Sequence, residues 1–341
     1  MKIAIGHKIQ AGPWGGGNNF TKTLVNFLLE AGHEVYFDLS KNDLDVILIT
    51  DPRPRNPAVS FKISEVYNYK IFKNRNVRIF HRINECDERK GTKSINFRLR
   101  NANFIADHTI FIASWLKDLN VWSRKNNFSV VLNGGDQEIF YPSEKSDGRT
   151  RDKLKLVTHH WGAHKNKGFD VYEKIALMLD DPFWSSKFEF TYVGNFPKSF
   201  YSKNIKRIKP LSGNYLGNEL RKHDIYLTAS INEPAGMHHV EGALCGLPLL
   251  YRNSGALPEY CKDFGVAFDG AQDFEHSLLE VIQNFLMYQK KMRSYRLTGE
   301  SMAEQYENLF VQSSKLAFEK REPVLDYEHL KNWLISQLML V

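Results

Sequence analysis

The stretch from Lys2 to Phe37 constrains the fold most. Lys2 to Ile5 is a short apolar run, followed by a loop carrying Gly12, Pro13, Gly15, Gly16, Gly17 and Asn18. Phe20, Leu24, Phe27 and Leu28 then recur at helical spacing, and Gly32 ends that run ahead of a second strand, Glu34 to Phe37. A strand, a glycine loop, a helix and a strand in this order build a doubly wound parallel sheet. The three consecutive glycines let backbone approach a ligand at the first strand's carboxyl end. A tight turn without a ligand has the same composition.

The alternation continues. Val46 to Ile49 is the next strand, and Asp43-Leu44-Asp45 before it reads as turn acids at the end of the sheet away from any site, so no metal is expected there. Val77 to Phe80 is a strand that delivers His81 at its carboxyl end, where open α/β sheets collect ligands. Its imidazole could hydrogen-bond a ligand hydroxyl or move a proton, or serve the structure alone. The polar loop from Arg82 to Lys90 suits acceptor contacts or plain solvation. Ile95, Leu99, Ala102 and Ala106 share one face of a helix whose other faces carry Arg98 and Arg100. That helix is either a core helix with a solvated face or a contact for an anionic membrane. Thr109 to Ala113 and Val130 to Leu132 complete the first set of strands.

A chain of 341 residues is too long for one ordinary core, so two domains are expected. Residues 143–152 contain no apolar side chain and read as the linker, which divides the chain into domains 1–145 and 153–315. Residues 316–341 are left as C-terminal helices, with a break at Glu322-Pro323 that permits a return to the first domain. The second domain opens with a strand, Lys155 to Thr158, and a loop, His159 to Gly168, that leads into a helix near Phe169. Phe188 to Val193 is a strand ending at Gly194-Asn195. Lys198, Lys203, Lys206, Arg207 and Lys209, interleaved with Phe200 and Tyr201, fit no nucleic-acid module and read as a solvated basic loop. Strands at Ile225 to Thr228 and Val266 to Phe268 follow. Helices are expected over 274–285, 300–320 and 326–340.

Composition excludes several classes. No run of eighteen apolar residues exists, so no spanning helix is expected, and the start of the chain reads as a strand and not as a signal peptide. Cys86, Cys245 and Cys261 form neither a metal pair nor a disulfide framework, which suits a reducing cytoplasm. The net charge of +7 favours anionic partners without choosing among nucleotides, lipid headgroups and nucleic acid.

The chemistry concentrates in SINEPAGMHHVEGALCGLPLLYRNSGALPE, Ser230 to Glu259. Pro234 and Gly236 put Glu233 on a loop and start a helix near Gly236 or Met237, with Glu241 in its second turn. The first-turn amides, around Gly236, Met237 and His238, lack acceptors within the helix and sit at the positive end of its dipole, which makes an anion site fit for a diphosphate. A loop carboxylate on one side and a helical one on the other can each accept hydroxyl hydrogen bonds. A nucleotide sugar offers both hydroxyls and diphosphate. Two surface acids flanking a packed helix would read the same in isolation. The five histidines His159, His160, His164, His238 and His239 have no acids or cysteines at ligand spacing, so hydrogen bonding to phosphate or hydroxyl is expected, and not a metal.

EPAGMHHVEGALCGLP followed by SGALPE resembles the retaining glycosyltransferases of family 4 (glycosyl transferases group 1), which carry two Glu separated by seven residues on the GT-B fold. NGGD followed by FYP, from Asn133 to Pro142, resembles that family's handover between domains, with Leu132 in place of its Pro and Gly135 in place of its Val. The resemblance implies two Rossmann-like domains with parallel sheets facing a central cleft. It implies that Glu233 contacts the donor sugar, Glu241 holds the ribose, and His81 lines the sugar pocket. Lys167 matches the lysine that neutralises the donor diphosphate. The arginine expected five residues before it is Gly162, and His160, Lys165 or Arg252 is the expected replacement. Gly15, Gly16 and Gly17 match the glycine loop facing the donor phosphates, and Gly194 the strand end near the nucleotide.

The implied reaction moves a sugar from a UDP or GDP sugar to an acceptor hydroxyl, with retention, in cell-surface polysaccharide synthesis. Its partners are a nucleotide sugar donor and a glycan or lipid-linked acceptor, without nucleic acid and with peripheral contact at the inner face of the membrane. No cofactor or metal is required. The rival is a catalytically silent sugar-nucleotide or glycan-binding protein on the same fold, supported by the missing arginine. An epimerase or phosphorylase is weaker, since no lysine is evidently placed to carry a pyridoxal cofactor.

Overall fold

The structure is a computed structural model that describes residues 1–11, 15–53, 55–123, 127–143, 153–198, 200, 202–316 and 327–338. The strands are β1 (Lys2–Ile5), β2 (Glu34–Tyr36), β3 (Val46–Ile49), β4 (Arg78–Ile83), β5 (His108–Phe111), β6 (Phe128–Val130), β7 (Leu154–His160), β8 (Phe188–Gly194), β9 (Ile205–Ile208), β10 (Ile225–Thr228), β11 (Leu249–Arg252) and β12 (Gly265–Phe268). The helices are α1 (Gly16–Glu30), α2 (Ile63–Asn68), α3 (Ile95–Asn103), α4 (Phe169–Met178), α5 (Pro182–Lys187), α6 (Gly213–Leu220), α7 (Met237–Leu244), α8 (Leu257–Cys261), α9 (Phe274–Gln283), α10 (Phe285–Met292), α11 (Gly299–Leu316) and α12 (Tyr327–Leu338). They form two compact units, Met1–Leu132 with Gly299–Val341, and Asn133–Thr298.

The first unit is a parallel sheet in the order β2-β1-β3-β4-β5-β6. β3, Val-Ile-Leu-Ile, is buried throughout, as a strand covered on both faces must be. One face packs Ile3, Ile5, Leu48, Phe80 and Ile110 against Leu24 and Leu28 of α1 and Tyr306 and Phe310 of α11. The other packs Ala4, Ile47, Ile49 and Ile79 against Val66 and Tyr67 of α2, with Trp333 of α12 alongside. Tyr306 and Phe310 are fully buried. At about 1.5–3 kcal/mol per buried large apolar side chain, those two alone tie the end of the chain to this unit. The terminal segment therefore joins the first unit from Gly299, and not only from residue 316.

β4 is longer than the apolar run suggested. It continues through His81 to Ile83, with His81 in register with Ile49 and Thr109. His81 is a residue of a central strand, and the strand end lies beyond it.

The second unit is a parallel sheet in the order β12-β11-β10-β7-β8-β9. Leu156, Phe190, Leu227 and Leu250 of the sheet pack against Phe169, Tyr172 and Ile175 of α4 and Phe274 and Leu278 of α9. The handover precedes the polar stretch. The Asn133 amide donates to Tyr260 Oη at 2.7 Å, Asn133 Nδ2 to the Ala235 carbonyl at 3.1 Å, and the Gly135 amide to the Leu297 carbonyl at 3.0 Å, which builds 133–135 into the second unit. Residues 144–152 of the expected linker, and the Glu322-Pro323 break, lie outside the described residues.

Part of the expected basic loop is instead the edge strand β9. The Arg207 guanidinium covers the rings of Phe196 and Phe200 at 4.5 and 5.4 Å, and Lys206 is exposed, so charge guards this edge against pairing with another chain. The helix expected over 274–285 is α9, which ends at Gln283, and a further helix, α10, follows after Asn284. Among the described residues no helix is long and apolar enough to cross a membrane.

Candidate functional site

The exit from β10 is fixed from two sides. Asn166 accepts from the Ile231 amide at 2.8 Å, and Ser254 Oγ accepts from the amide of Asn232, which holds a left-handed φ of 50°. Asn tolerates that conformation better than most side chains. The Glu233 carbonyl accepts from the Ala256 amide at 3.0 Å, and Gly255 is pressed so close that a Cβ there would lie 2.6 Å from the Glu233 carbonyl oxygen. Gly255 also has a φ of 60°. Only glycine meets both demands. The second turn, at Gly255, thereby holds the Glu233 backbone in place.

α7 begins after an extended Gly236. The amides of Met237 and His238 therefore stand in a first turn that offers them no intrahelical acceptor, and Glu241 lies one turn further on. The helix rests directly on β10, because Gly242 brings its backbone so near Tyr226 that a Cβ would lie 2.2 Å from the ring.

Each carboxylate has a buried partner. Lys167 Nζ donates to Glu233 Oε2 at 2.5 Å, with the two side chains 9% and 5% exposed. His159 Nε2 lies 2.8 Å from Glu241 Oε2. His159 and His160 are the last two residues of β7 rather than loop residues. Neither Glu241 pairing nor Tyr226 follows from spacing, since His159 and Tyr226 are in adjacent strands far apart in sequence; the pair of histidines at the end of an apolar strand was the one available signal.

His160, His238 and His239 are buried, which disfavours their charged forms. His160 Nε2 lies 2.8 Å from Tyr172 Oη and His238 Nε2 2.8 Å from Thr228 Oγ1. Burial first, then the Lys167 charge, holds His160 well below the usual imidazole range, and burial first, then neighbouring His160, does the same to His238. His239 stands edge-on to Tyr260 with neither ring nitrogen bonded, and burial pushes it down to about 3. Imidazoles held in this way offer hydrogen bonds, not positive charge.

A His160 held in this way would offer a phosphate a hydrogen bond and not the charge of the missing arginine. Arg252 fails for a different reason: its guanidinium is taken by Asp170 and by the Ala229 and Asp269 carbonyls. Lys165 is exposed. Gly162 is open, with only His164 Cδ2 at 3.8 Å from where its Cβ would be.

Glu233, Lys167, Gly236, Met237, His238, Glu241, His160 and Gly194 are thus gathered in the second unit around the carboxyl ends of its central strands and the start of α7. Gly194 has a purely structural reason to be glycine: its φ is 140° and a Cβ would lie 2.0 Å from the His160 carbonyl oxygen.

The candidates of the first unit form a separate group. Gly15 is the extended residue before α1, and Gly16 and Gly17 are in its first turn. A Cβ at Gly15 would meet nothing within 4 Å and one at Gly17 only His7 Cε1 at 3.6 Å, so local crowding does not require either glycine. Asn18 closes the loop by accepting from the Gln10 amide at 2.7 Å and donating to its carbonyl at 3.1 Å. His81 is fully buried, 3.4 Å from Asn103 Nδ2, and pushed down to about 3 by burial. It is a core histidine and not the strand-end group expected. Its neighbour Arg82 lays its guanidinium over the Phe20 ring at 3.8 Å.

The sequence matches no protein-family model and no curated protein. Solved structures do match. Sucrose-phosphate synthase from Thermosynechococcus elongatus is similar with a TM-score of 0.65 at 13% identity, over 91% of this chain and 98% of that one. HepE of Anabaena, in complex with UDP-glucose, gives 0.65 at 14% identity over 92% and 100% of the two chains. AviGT4, a glycosyltransferase involved in avilamycin A biosynthesis, gives 0.58 at 13% identity over 92% and 98%. Two units, each a six-stranded parallel sheet flanked by helices, together with these likenesses, give the chain the two-domain GT-B fold.

Proposed function

We propose that this chain is a glycosyltransferase that moves a sugar from a nucleoside diphosphate sugar to an acceptor hydroxyl on a glycan or glycolipid, with retention of anomeric configuration. The reading is carried by one observation: in a GT-B fold, a helix entrance at the carboxyl end of a parallel sheet has a buried loop carboxylate, Glu233, before it and a buried helical one, Glu241, a turn inside. HepE, a structural neighbour, is seen with UDP-glucose.

On this reading the Met237 and His238 amides and Lys167 stabilise the negative charge that grows on the departing diphosphate. Glu233 orients the transferred sugar through its hydroxyls and Glu241 binds the ribose. The acceptor attacks from the face the diphosphate leaves, and a phosphate oxygen takes its proton, so no protein nucleophile is needed. Lys167 and the helix entrance meet the diphosphate charge without a metal. The cytoplasm, with peripheral membrane contact for a lipid-linked acceptor, is the setting that suits such a donor.

A second reading, a donor-binding protein without catalysis, is favoured by the bare backbone at Gly162. Release of nucleoside diphosphate from UDP, GDP and ADP sugars in the presence of a chelator separates the two. Transfer predicts release, slowed mainly in turnover by Glu233→Gln and mainly in donor affinity by Glu241→Ala. Binding without release of any donor supports the silent reading, and no binding at all refutes both.

A further inference from the structure

We infer that His159 is the positioning residue for the Glu241 carboxylate, holding it ready for the vicinal hydroxyls of the donor's ribose. This rests on the nucleotide-sugar reading above and adds to it a residue outside the acid pair.

Three bonds define the arrangement. His159 Nε2 meets Glu241 Oε2 at 2.8 Å, His159 Nδ1 meets Tyr226 Oη at 3.0 Å, and the His159 amide donates to the same phenol oxygen at 3.2 Å. The amide can only donate, so the phenol oxygen accepts there. With the phenol's own hydrogen directed at Nδ1, Nε2 carries the proton donated to Glu241; an Nδ1–H donated to the same phenol oxygen is the alternative that the tautomer measurement below separates. Burial raises the Tyr226 phenol well above its usual range, which keeps that hydrogen in place.

The support is rigid. Tyr226 is fully buried in β10, its ring fixed against Gly242 of the same helix that carries Glu241. The Glu241 side chain is 8% exposed, and among the described residues no protein group bonds to its Oε1. One carboxylate oxygen is held by the imidazole, and the other remains for a ligand. A glutamate has three side-chain torsions to order, and ordering them before the ligand arrives removes that entropic cost from binding.

The test is calorimetric titration of the full chain with UDP, GDP and ADP, and then with the 2′,3′-dideoxy form of whichever binds tightest. For the unaltered chain the dideoxy form should bind about ten- to a hundredfold more weakly, the range of a charge-assisted hydrogen bond. His159→Leu should bring the ribonucleotide down to the level of its dideoxy form while leaving the dideoxy form unchanged. His159→Gln, which keeps an N–H donor for Glu241, should restore most of the difference. Equal loss for both ligands in His159→Leu, or no rescue by His159→Gln, overturns the proposal. A second measurement does not depend on those variants folding: the ¹⁵N shifts of His159 in the unaltered chain should report the Nε2–H tautomer, with the Nε2 signal moving in Glu241→Gln. The Nδ1–H tautomer overturns the proposal by itself. Absence of binding by UDP, GDP and ADP alike overturns the nucleotide reading and this proposal with it, whereas a ribose preference that survives in His159→Leu overturns this proposal alone.

Discussion

Replacing Lys167 by Met leaves the buried Glu233 carboxylate without its ammonium partner. The two side chains are 9% and 5% exposed, so solvent cannot substitute for the lost charge, and removal of one member of such a pair costs about 3–5 kcal/mol. Glu233→Gln should cost a similar amount by stranding the ammonium. In the double variant neither charge is left, so its cost should fall several kcal/mol short of the sum of the two singles. A chain of two compact units need not unfold in one step, so a single melting curve is the wrong assay. Native-state hydrogen exchange of the β7 and β10 amides reads the opening of the second unit alone. At about 1.4 kcal/mol per factor of ten, each single variant should accelerate that exchange by roughly a hundredfold to a few thousandfold. Single-variant costs below about 1 kcal/mol, the level of an exposed ion pair, or effects additive within about 0.5 kcal/mol, would refute the reasoning.

Two further outcomes follow from the same geometry. Gly162→Arg should fold normally, since its Cβ would meet only His164 Cδ2 at 3.8 Å, and should tighten nucleoside diphosphate binding about tenfold or more through a charge-assisted phosphate contact, measured by calorimetry. Unchanged affinity in a folded variant would place the phosphates elsewhere. His239, held neutral down to about 3 when folded against 6.5 when free, binds its proton only in the unfolded chain across that window, so stability is intact above about 6.5 and is lost as pH falls toward 3, at about 1.4 kcal/mol per unit. His239→Leu should lower the slope of the second unit by about 1.4 kcal/mol per unit, leaving the share of His160 and His238, read by exchange of the β10 amides between pH 7 and pH 5, and a slope equal to that of the unaltered chain would contradict the assignment.

The sheet strands were legible wherever a strand is apolar throughout, because burial on both faces of a parallel sheet leaves no room for alternation: Val46 to Ile49 and Ile225 to Thr228 were read to the residue. Polar residues at strand ends misled the boundaries. His81, Arg82, His159 and His160 all lie within strands because their backbones continue the ladder while their side chains find partners that local composition does not reveal. The edge strand β9 was missed for the opposite reason, since an exposed edge keeps its charges and reads as loop. The domain handover was read in two places: the absence of apolar residues pointed to 143–152, whereas the NGGD and FYP resemblance pointed to Asn133–Pro142, where Asn133 and Gly135 are bonded to Tyr260 and Leu297 at the start of the second unit.

At the candidate site, what was legible is what depends on neighbours in sequence. Pro234 and Gly236 separate the Glu233 loop from α7, and that local rule held. What was not legible is electrostatic and long-range. A histidine reads as a possible cation until its burial is known, and burial is set by side chains distant in the chain: Tyr172 and Thr158 around His160, Thr228 around His238, and Tyr260 against His239. Likewise the two acids looked equivalent in spacing, yet one is paired with an ammonium and the other with an imidazole whose proton is assigned by a phenol one strand away. The pairings therefore separate the two carboxylates in kind. Glu233 shares a full charge with Lys167, so a diphosphate that recruits the ammonium must also alter the environment of Glu233, whereas Glu241 is held by an imidazole and, among the described residues, has no lysine or arginine to surrender.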